Sequence, residues 1–306
     1  MSKIILISGP TASGKSNFAL KLAKIINGEI INADSMQVYK EIQVLTARPA
    51  SNSFKNIKHH LYGFLSVKKT FSVGNWLKLV YSQIREIRKR NKIPIIVGGT
   101  GLYFKALTYG FAKIPKVPIK IRNKIRRDHI KVGQQKFYKK LLKIDPICKK
   151  KINKNDVQRT LRAYEIINHT NISLFEWYKK TKSNFNDSNF IKVYLDLPKE
   201  DLIQRIYKRV NEMIKNGAIN EVKKLQKLKI KKNNSSLKII GINEINDFLS
   251  KKMKKDELIE ILAIKTRQYA KRQRTWARGQ MQNWQKINPK DFKIELKKIQ
   301  KNISKT

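Results

Sequence analysis

Eight residues near the start of the chain, Gly9, Pro10, Thr11, Ala12, Ser13, Gly14, Lys15 and Ser16, have the types and spacing to hold a phosphorylated ligand. Glycines at the first and sixth positions let backbone N–H groups turn toward phosphate oxygens. Lys15 adds a point charge, and the Ser16 hydroxyl suits Mg²⁺. The loop sits between an aliphatic run and a helix-like stretch, the context in which this pattern works. It specifies a phosphate ligand and leaves the chemistry open, so a nucleotide such as ATP and a simple diphosphate both fit. Asp34 ends a second aliphatic run, "EIINAD" at 29–34. Ligands of open α/β sheets bind at the carboxyl ends of strands. A carboxylate there could hold Mg²⁺, take a proton from a nucleophile, or cap the next segment. A third strand end, "VGGTGLY" at 97–103, brings Gly98 and Gly99 close to such a ligand and offers the Thr100 hydroxyl.

Cations recur further along. Arg122 follows two prolines, and Arg205 and Arg209 are one helical turn apart in "DLIQRIYKRV". Guanidinium groups suit diphosphate oxygens because they bind in pairs of hydrogen bonds and stay charged. "NDVQRTLRAYEI" at 155–166 places Gln158, Arg159 and Arg162 on neighbouring helical positions. In "TRQYAKRQRTWARGQ" at 266–280, Arg267, Lys271, Arg274 and Arg278 fall at i, i+4, i+7 and i+11 and form one basic stripe. Leu258, Leu262, Tyr269 and Trp276 form an apolar stripe on another side, expected in the core. The acidic counter-charges that usually interleave with such a stripe are missing. His59 and His60 are adjacent and share no helical face, so no metal site is expected from them.

The elements that must position these groups read as an α/β fold. Residues 3–8 are nearly all aliphatic, as in a strand buried on both faces. A helix from about Lys15 to Ile26 turns Phe18, Leu22 and Ile25 inward and ends at Asn27–Gly28. The order strand, loop, helix, strand implies a parallel sheet with right-handed crossovers. Residues 74–91 read as a helix with Trp76, Leu77, Val80, Ile84 and Ile87 on one side. "PIIVGGTG" at 94–101 and "FIKVYLDLP" at 190–198 read as further core strands. Helices are expected over about 199–216, 218–229 and 256–278. Between 113 and 184 strand-like runs are few, and the segment reads as a helical insertion. The expected organisation is a P-loop NTPase-like parallel sheet flanked by helices over 1–112 and 185–288, a mostly helical insertion over 113–184, and a basic tail over 289–306.

Composition narrows the partners. The 306 residues include 68 Lys+Arg against 22 Asp+Glu, a formal net charge of +46. Lys, Ile and Asn are abundant throughout, so compositional drift accounts for much of the lysine excess. A charge of this size nonetheless attracts polyanions in a salt-dependent way, nucleic acid first and membrane surfaces second. No apolar run reaches the roughly 18 residues of a membrane span, and no secretory leader is read at the start. Cys148 is the one cysteine, which rules out an internal disulfide and a cysteine-based zinc cluster. A cytoplasmic, monomeric protein is expected.

Taken in order, "GPTASGKS", "NADSMQVYK", "TARP", "VGGTGLY", "NDVQRTLRAYE", "KIIGINE" and "TRQYAKRQRTWAR" resemble the bacterial tRNA dimethylallyltransferases, also called isopentenylpyrophosphate:tRNA transferases. The resemblance runs from Ile4 to about Trp284. It implies transfer of a dimethylallyl group from dimethylallyl diphosphate to the exocyclic amine (N6) of the adenosine at position 37 of tRNA, with Mg²⁺ as cofactor. The phosphates on Gly9–Ser16 would then belong to an isoprenoid diphosphate. Asp34 would be the base. Lys15, Ser16 with the metal, Thr100, Arg122 and Arg209 would stabilise the leaving group, and the target base would be flipped into a channel. For the anticodon stem-loop, the resemblance points to Asp34, Ser35, Met36 and Gln37, to Gln158, Arg159, Thr160, Leu161 and Arg162, and to Lys238, Ile239, Ile240, Gly241, Ile242 and Asn243. The stripe of Arg267, Lys271, Arg274 and Arg278 would support the backbone contacts.

Three positions depart from the family pattern. Gly63 stands where an acidic residue is usual, "KEIQVLTARP" replaces a glycine-containing run, and Asn243 takes a place often held by Lys or Arg. The competing classes are a small-molecule P-loop kinase, a prenyltransferase acting on free adenine nucleotides, and a non-catalytic RNA-binding module. The first two leave the basic insertion and the 266–278 stripe without a purpose. Asp34 and the converging strand ends argue against the third.

Overall fold

The computed structural model describes residues 2–50, 54, 56–231 and 234–304. The chain forms two compact units, one comprising Met1–Thr108 with Phe185–Thr306 and the other Tyr109–Asn184.

The first unit is built on a six-stranded sheet. Its strands are β1 (Ile4–Ser8), β2 (Gly28–Asn32), β3 (His59–His60), β4 (Ile93–Gly98), β5 (Phe190–Leu195) and β6 (Gln285–Ile287). They lie in the order β3-β2-β4-β1-β5-β6, and every pairing is parallel. β1 is central, with Ile5 opposite Ile95 of β4 and Ile4 opposite Phe190 of β5. All five of its residues are buried, as an aliphatic strand covered on both faces must be. Alternation along β1 separates two cores. Ile4 and Leu6 face the helices α2 (Val73–Lys89) and α3 (Gly101–Tyr109), with Trp76, Val80, Tyr103 and Phe104. Ile5 and Ile7 face α1 (Lys15–Ile25), with Phe18 and Leu22.

β3 and β6 escape the sequence pattern. β3 has two residues, too few for any periodicity, and β6 is an edge strand with two exposed polar residues of its three. Ile25 is also corrected. It is 43% exposed, and the next residue, Ile26, packs into the core instead. The segment after Asn288, read as a basic tail, carries a helix whose Leu296 and Ile299 are buried beside α1. Its Phe292 ring lies 4.6 Å from that of Phe18. Residues 305 and 306 of that segment lie outside the described ones.

In the second unit, α4 (Ile119–Ile144) is broken at Gly133 and packs on α6 (Val157–Thr170), with the short helices α5 (Cys148–Lys151) and α7 (Leu174–Lys179) beside them. Its core holds Leu141, Cys148, Ile152, Ala163, Ile166 and Leu174. Burial raises the Cys148 thiol to about 12, with Asp145 adding to the shift, so the sulfur is an inert part of that core.

Among the described residues, the first unit has five further helices: α8 (Lys199–Lys215), α9 (Ala218–Gln226), α10 (Ile242–Leu249), α11 (Lys255–Gln280) and α12 (Phe292–Ser304). α8 to α11 enclose a third core with Val38, Tyr39, Ile42 and Leu45. No described helix is long and apolar enough to cross a membrane.

Candidate active site

A cavity of about 460 Å³ opens at the carboxyl ends of the sheet. Its lining includes Thr11, Lys15, Ser16, Asp34, Arg209 and Gln273. The motifs read from the sequence as phosphate loop, second strand end and paired arginines therefore meet in one space.

The phosphate loop is shaped for an anion. Gly14 takes a left-handed conformation, φ 90, which glycine adopts freely. No side chain caps α1, so the first N–H groups of that helix are left for a ligand. Ser13 Oγ is buried and has no hydrogen-bond partner among the described residues. Ser16 is exposed at the first turn of α1 and lines the cavity. Two alanines lining the same cavity, Ala12 at φ 62 and Ala47 at φ 44, hold left-handed backbone that L residues adopt at a cost.

The charges inside act on one another. Lys15 Nζ donates to the Pro10 carbonyl at 2.6 Å. Burial pulls its pKa down to about 7, Asp34 works against that shift, and Arg209 works with it. Burial also lowers Arg209, and Asp34 opposes it. Arg209 Nη1 donates to Thr11 Oγ1 at 3.0 Å, and Nη2 reaches the Thr46 carbonyl at 3.4 Å. Burial, reinforced by the Asp34 charge, moves Tyr62, Tyr103 and Tyr269 upward, so all three keep their phenolic protons.

Asp34 is held by hydrogen bonds at its own strand end. Its N–H donates to Asn32 Oδ1 at 2.8 Å, and Asn32 Nδ2 donates back to the Asp34 carbonyl at 3.0 Å. One carboxylate oxygen, Oδ1, accepts from Met36 N–H at 2.9 Å. Thr100 Oγ1 accepts from Ser35 N–H at 2.9 Å and donates to Ser35 Oγ at 3.3 Å, tying the "ADS" and "GGTG" strand ends together. Gln37 Nε2 donates to the Thr46 carbonyl at 2.9 Å, which holds the "TARP" turn against the cavity. From outside, the Glu221 carboxylate accepts the N–H groups of Gln43, Val44 and Leu45 at 2.6, 2.9 and 2.9 Å.

Other expected residues fall elsewhere or face inward. Arg122 belongs to the helical unit and lies 3.4 Å from the buried Glu165 carboxylate. Its role toward a diphosphate rests on the resemblance alone. Arg126 and Arg162 reach the same carboxylate, at 3.5 and 3.7 Å. Gln158 and Arg159 are exposed, Leu161 is half-buried, and Thr160 is buried with its hydroxyl donating to the Asp156 carbonyl. In 238–243, Lys238 and Asn243 are exposed, Ile240 is half-buried, and Ile239, Gly241 and Ile242 are buried. Side chains of Thr160, Ile239 and Ile242 therefore present no surface of their own to a partner. Arg267, Lys271 and Arg278 form an exposed edge of α11, whereas Arg274 is half-buried beside Asp196 at 3.4 Å. The basic stripe thus does have one acidic counter-charge. Leu258 and Leu262 are core, but Tyr269 and Trp276 are half-buried.

Gly63 has a local explanation. Its φ is 54, and a Cβ built there would collide with the Arg48 guanidinium, which occupies the side-chain space at that position. His60 lies 2.7 Å from Glu29, which binds Arg90 at 2.6 Å as well. Among the described residues no group of three or more His, Cys, Asp or Glu could hold a metal. Any Mg²⁺ would need ligand oxygens beside Ser16. A hydroxyl and a nearby carboxylate are the hard donors that Mg²⁺ takes, so the cavity fits that ion. Gln273 escaped the sequence reading, because a glutamine in a basic helix carries no charge or motif signal of its own.

Residues 37–280 match the family model described as IPP transferase. A curated tRNA dimethylallyltransferase of Pelagibacter ubique is 57% identical over 304 residues, covering 99% of this chain and 97% of that protein. One from Rickettsia massiliae is 42% identical, covering 98% of this chain and 84% of that protein. Among solved structures, the tRNA isopentenylpyrophosphate transferase of Bacillus halodurans aligns with a TM-score of 0.71 at 32% identity, covering 99% of this chain and 96% of that one. A eukaryotic dimethylallyltransferase acting on tRNA aligns with a TM-score of 0.79 at 31% identity, covering 90% of this chain and 70% of that one. The cavity, the parallel sheet beneath it and these likenesses agree: the chain belongs to the IPP transferase family.

Proposed function

We infer that this chain is a tRNA-modifying prenyltransferase that moves a dimethylallyl group from dimethylallyl diphosphate to N6 of adenosine 37, next to the anticodon. The observation that carries this is one cavity lined by cations suited to a leaving diphosphate and by a carboxylate suited to a proton. The N6 nitrogen attacks the allylic carbon, the carbon–oxygen bond to the diphosphate breaks, and the N6 proton passes to Asp34. Lys15 and Arg209 stabilise the charge that gathers on the leaving oxygen. Holding amine and allylic carbon in line is the second large contribution. Mg²⁺, when bound, would neutralise further diphosphate charge, with Ser16 as its protein ligand. The tyrosine hydroxyls that stay protonated near Asp34 leave the carboxylate as the base. RNA contacts are proposed for Ser35, Met36 and Gln37, for the exposed members of 158–162 and 238–243, and for the α11 edge. A cytoplasmic location is part of the same proposal.

The test is an incubation of the purified protein with labelled dimethylallyl diphosphate, Mg²⁺ and separate acceptors. Label is expected in an unmodified anticodon stem-loop bearing the adenosine and not in AMP. Label in AMP alone would move the chain to the free-nucleotide class, and ATP hydrolysis without transfer would favour the kinase reading.

A further inference from the structure

The phosphate loop is gripped by a residue from the far end of the chain. Gln273, in α11, accepts the Thr11 N–H on Oε1 at 2.8 Å and donates from Nε2 to the Gly99 carbonyl at 2.9 Å. The two ends of one amide thus face a donor and an acceptor. The reverse orientation would set NH₂ against N–H and oxygen against oxygen.

The fit around this amide is close. A Cβ on Gly99 would collide with Gln273 Nε2, and one on Gly101 would collide with the Trp276 ring. Gln273 and Trp276 are three residues apart and share a helix face. The "GGTG" turn therefore has glycine at 99 and 101 because α11 presses these two side chains onto it.

One peptide is held at both ends. The Pro10 carbonyl accepts the Lys15 ammonium, and the Thr11 N–H of the same peptide plane is bound by Gln273. Rotation of this plane would take the carbonyl away from Lys15 and change where the loop's donors point. The Thr11 side chain is fixed separately by Arg209.

We propose that Gln273 is a positioning residue for the diphosphate, holding the Pro10–Thr11 peptide so that the loop and Lys15 are ordered before the ligand arrives. This role rests on the diphosphate reading of the cavity. Preorganisation of this kind lowers the ordering cost of binding.

Inorganic pyrophosphate with Mg²⁺ is titrated into the wild-type chain and into Gln273→Met and Gln273→Glu. Methionine keeps the bulk against Gly99 and removes both hydrogen bonds. Glutamate keeps the acceptor for Thr11, loses the donor to Gly99 and adds a negative charge. Pyrophosphate affinity should fall about tenfold in Gln273→Met and further in Gln273→Glu. Anticodon stem-loop affinity and the melting temperature of Gln273→Met should stay near wild type. In steady state the KM for dimethylallyl diphosphate should rise more than kcat falls. Unchanged pyrophosphate affinity in Gln273→Met overturns the proposal while leaving the diphosphate reading intact. Parallel losses of pyrophosphate affinity, RNA affinity and melting temperature would reduce Gln273 to a structural contact and overturn it too. A wild-type chain that binds no pyrophosphate would overturn the diphosphate reading and this role with it.

Discussion

The cavity of the first unit and the arginine cluster of the second handle charge in opposite ways. In the cavity, Lys15, Arg209 and Asp34 are few, partly withdrawn from water, and hydrogen-bonded to neighbouring loop groups: Lys15 to the Pro10 carbonyl, Arg209 to Thr11 Oγ1 and the Thr46 carbonyl, and Asp34 to the Met36 N–H. In the helical unit, Arg122, Arg126 and Arg162 gather on one buried carboxylate, Glu165, and leave an excess of positive charge at a solvated face. Low dielectric makes each cavity charge strong and particular. Solvent makes each surface charge weak and exchangeable. Chemistry should therefore depend on single residues, and recognition of a polyanion on a sum.

The sharpest break in this contrast comes from Asp34→Asn. Turnover should fall by roughly a thousandfold with anticodon stem-loop affinity kept; near-normal kcat would remove Asp34 as the base. Lys15→Ala should cost roughly a hundredfold in kcat/KM for dimethylallyl diphosphate and little in RNA binding. Lys15 also predicts a proton count. With its pKa near 7 in the free protein, it is mostly neutral at pH 8, and a bound anion recharges it. Pyrophosphate binding at pH 8 should thus take up more protons in the wild type than in Lys15→Ala, read by calorimetry in buffers of different ionisation heat.

Glu29 sharpens the comparison from the other side, as a buried charge of the first unit with a structural task. Burial opposes its ionisation, but the hydrogen bonds from Arg90 and His60 outweigh that and bring its pKa to about 2. The stabilisation is complete above the ordinary value of 4.5 and is lost as pH falls through the folded value. Glu29→Gln should lower stability by roughly 3 kcal/mol in denaturant melts near neutral pH, with that deficit shrinking in acid. Smallest of all, Arg162→Ala and Arg278→Ala should each weaken stem-loop binding a few-fold and flatten its salt slope by about 1. An unchanged slope would return either residue to a solvated surface role.

Legibility in the sequence follows the same divide. β1, β2, β4 and β5 could be read because buried parallel strands are continuous aliphatic runs. The glycine turn before α1 could be read because its left-handed backbone at Gly14 is one that glycine adopts freely. The reading failed where a residue's role depends on a distant partner. Gln273 gains its meaning from Thr11 and Gly99, which lie far from it in sequence. Thr160 and Ile239 sit in stretches that resemble RNA contacts, yet packing turns their side chains inward. Arg274 belonged to the basic stripe by spacing, but Asp196 from beyond β5 reaches it. Gly63 looked like a lost carboxylate, and the space proved to be filled by Arg48.

The strand order also sets a timetable for synthesis. β1 is translated before one of its two neighbours, β5, which begins only at Phe190, after the whole helical unit. Tyr109–Asn184 is continuous in sequence and has its own core, so it can fold while the nascent sheet still shows an open edge along β1. An aliphatic edge of that kind invites pairing with other chains. The wait is extended again by β6 and by the helix that supplies Gln273, both of which are translated after β5. The cavity draws Lys15 from before the helical unit and Arg209 and Gln273 from after it, so its lining is complete only once α11 has been made.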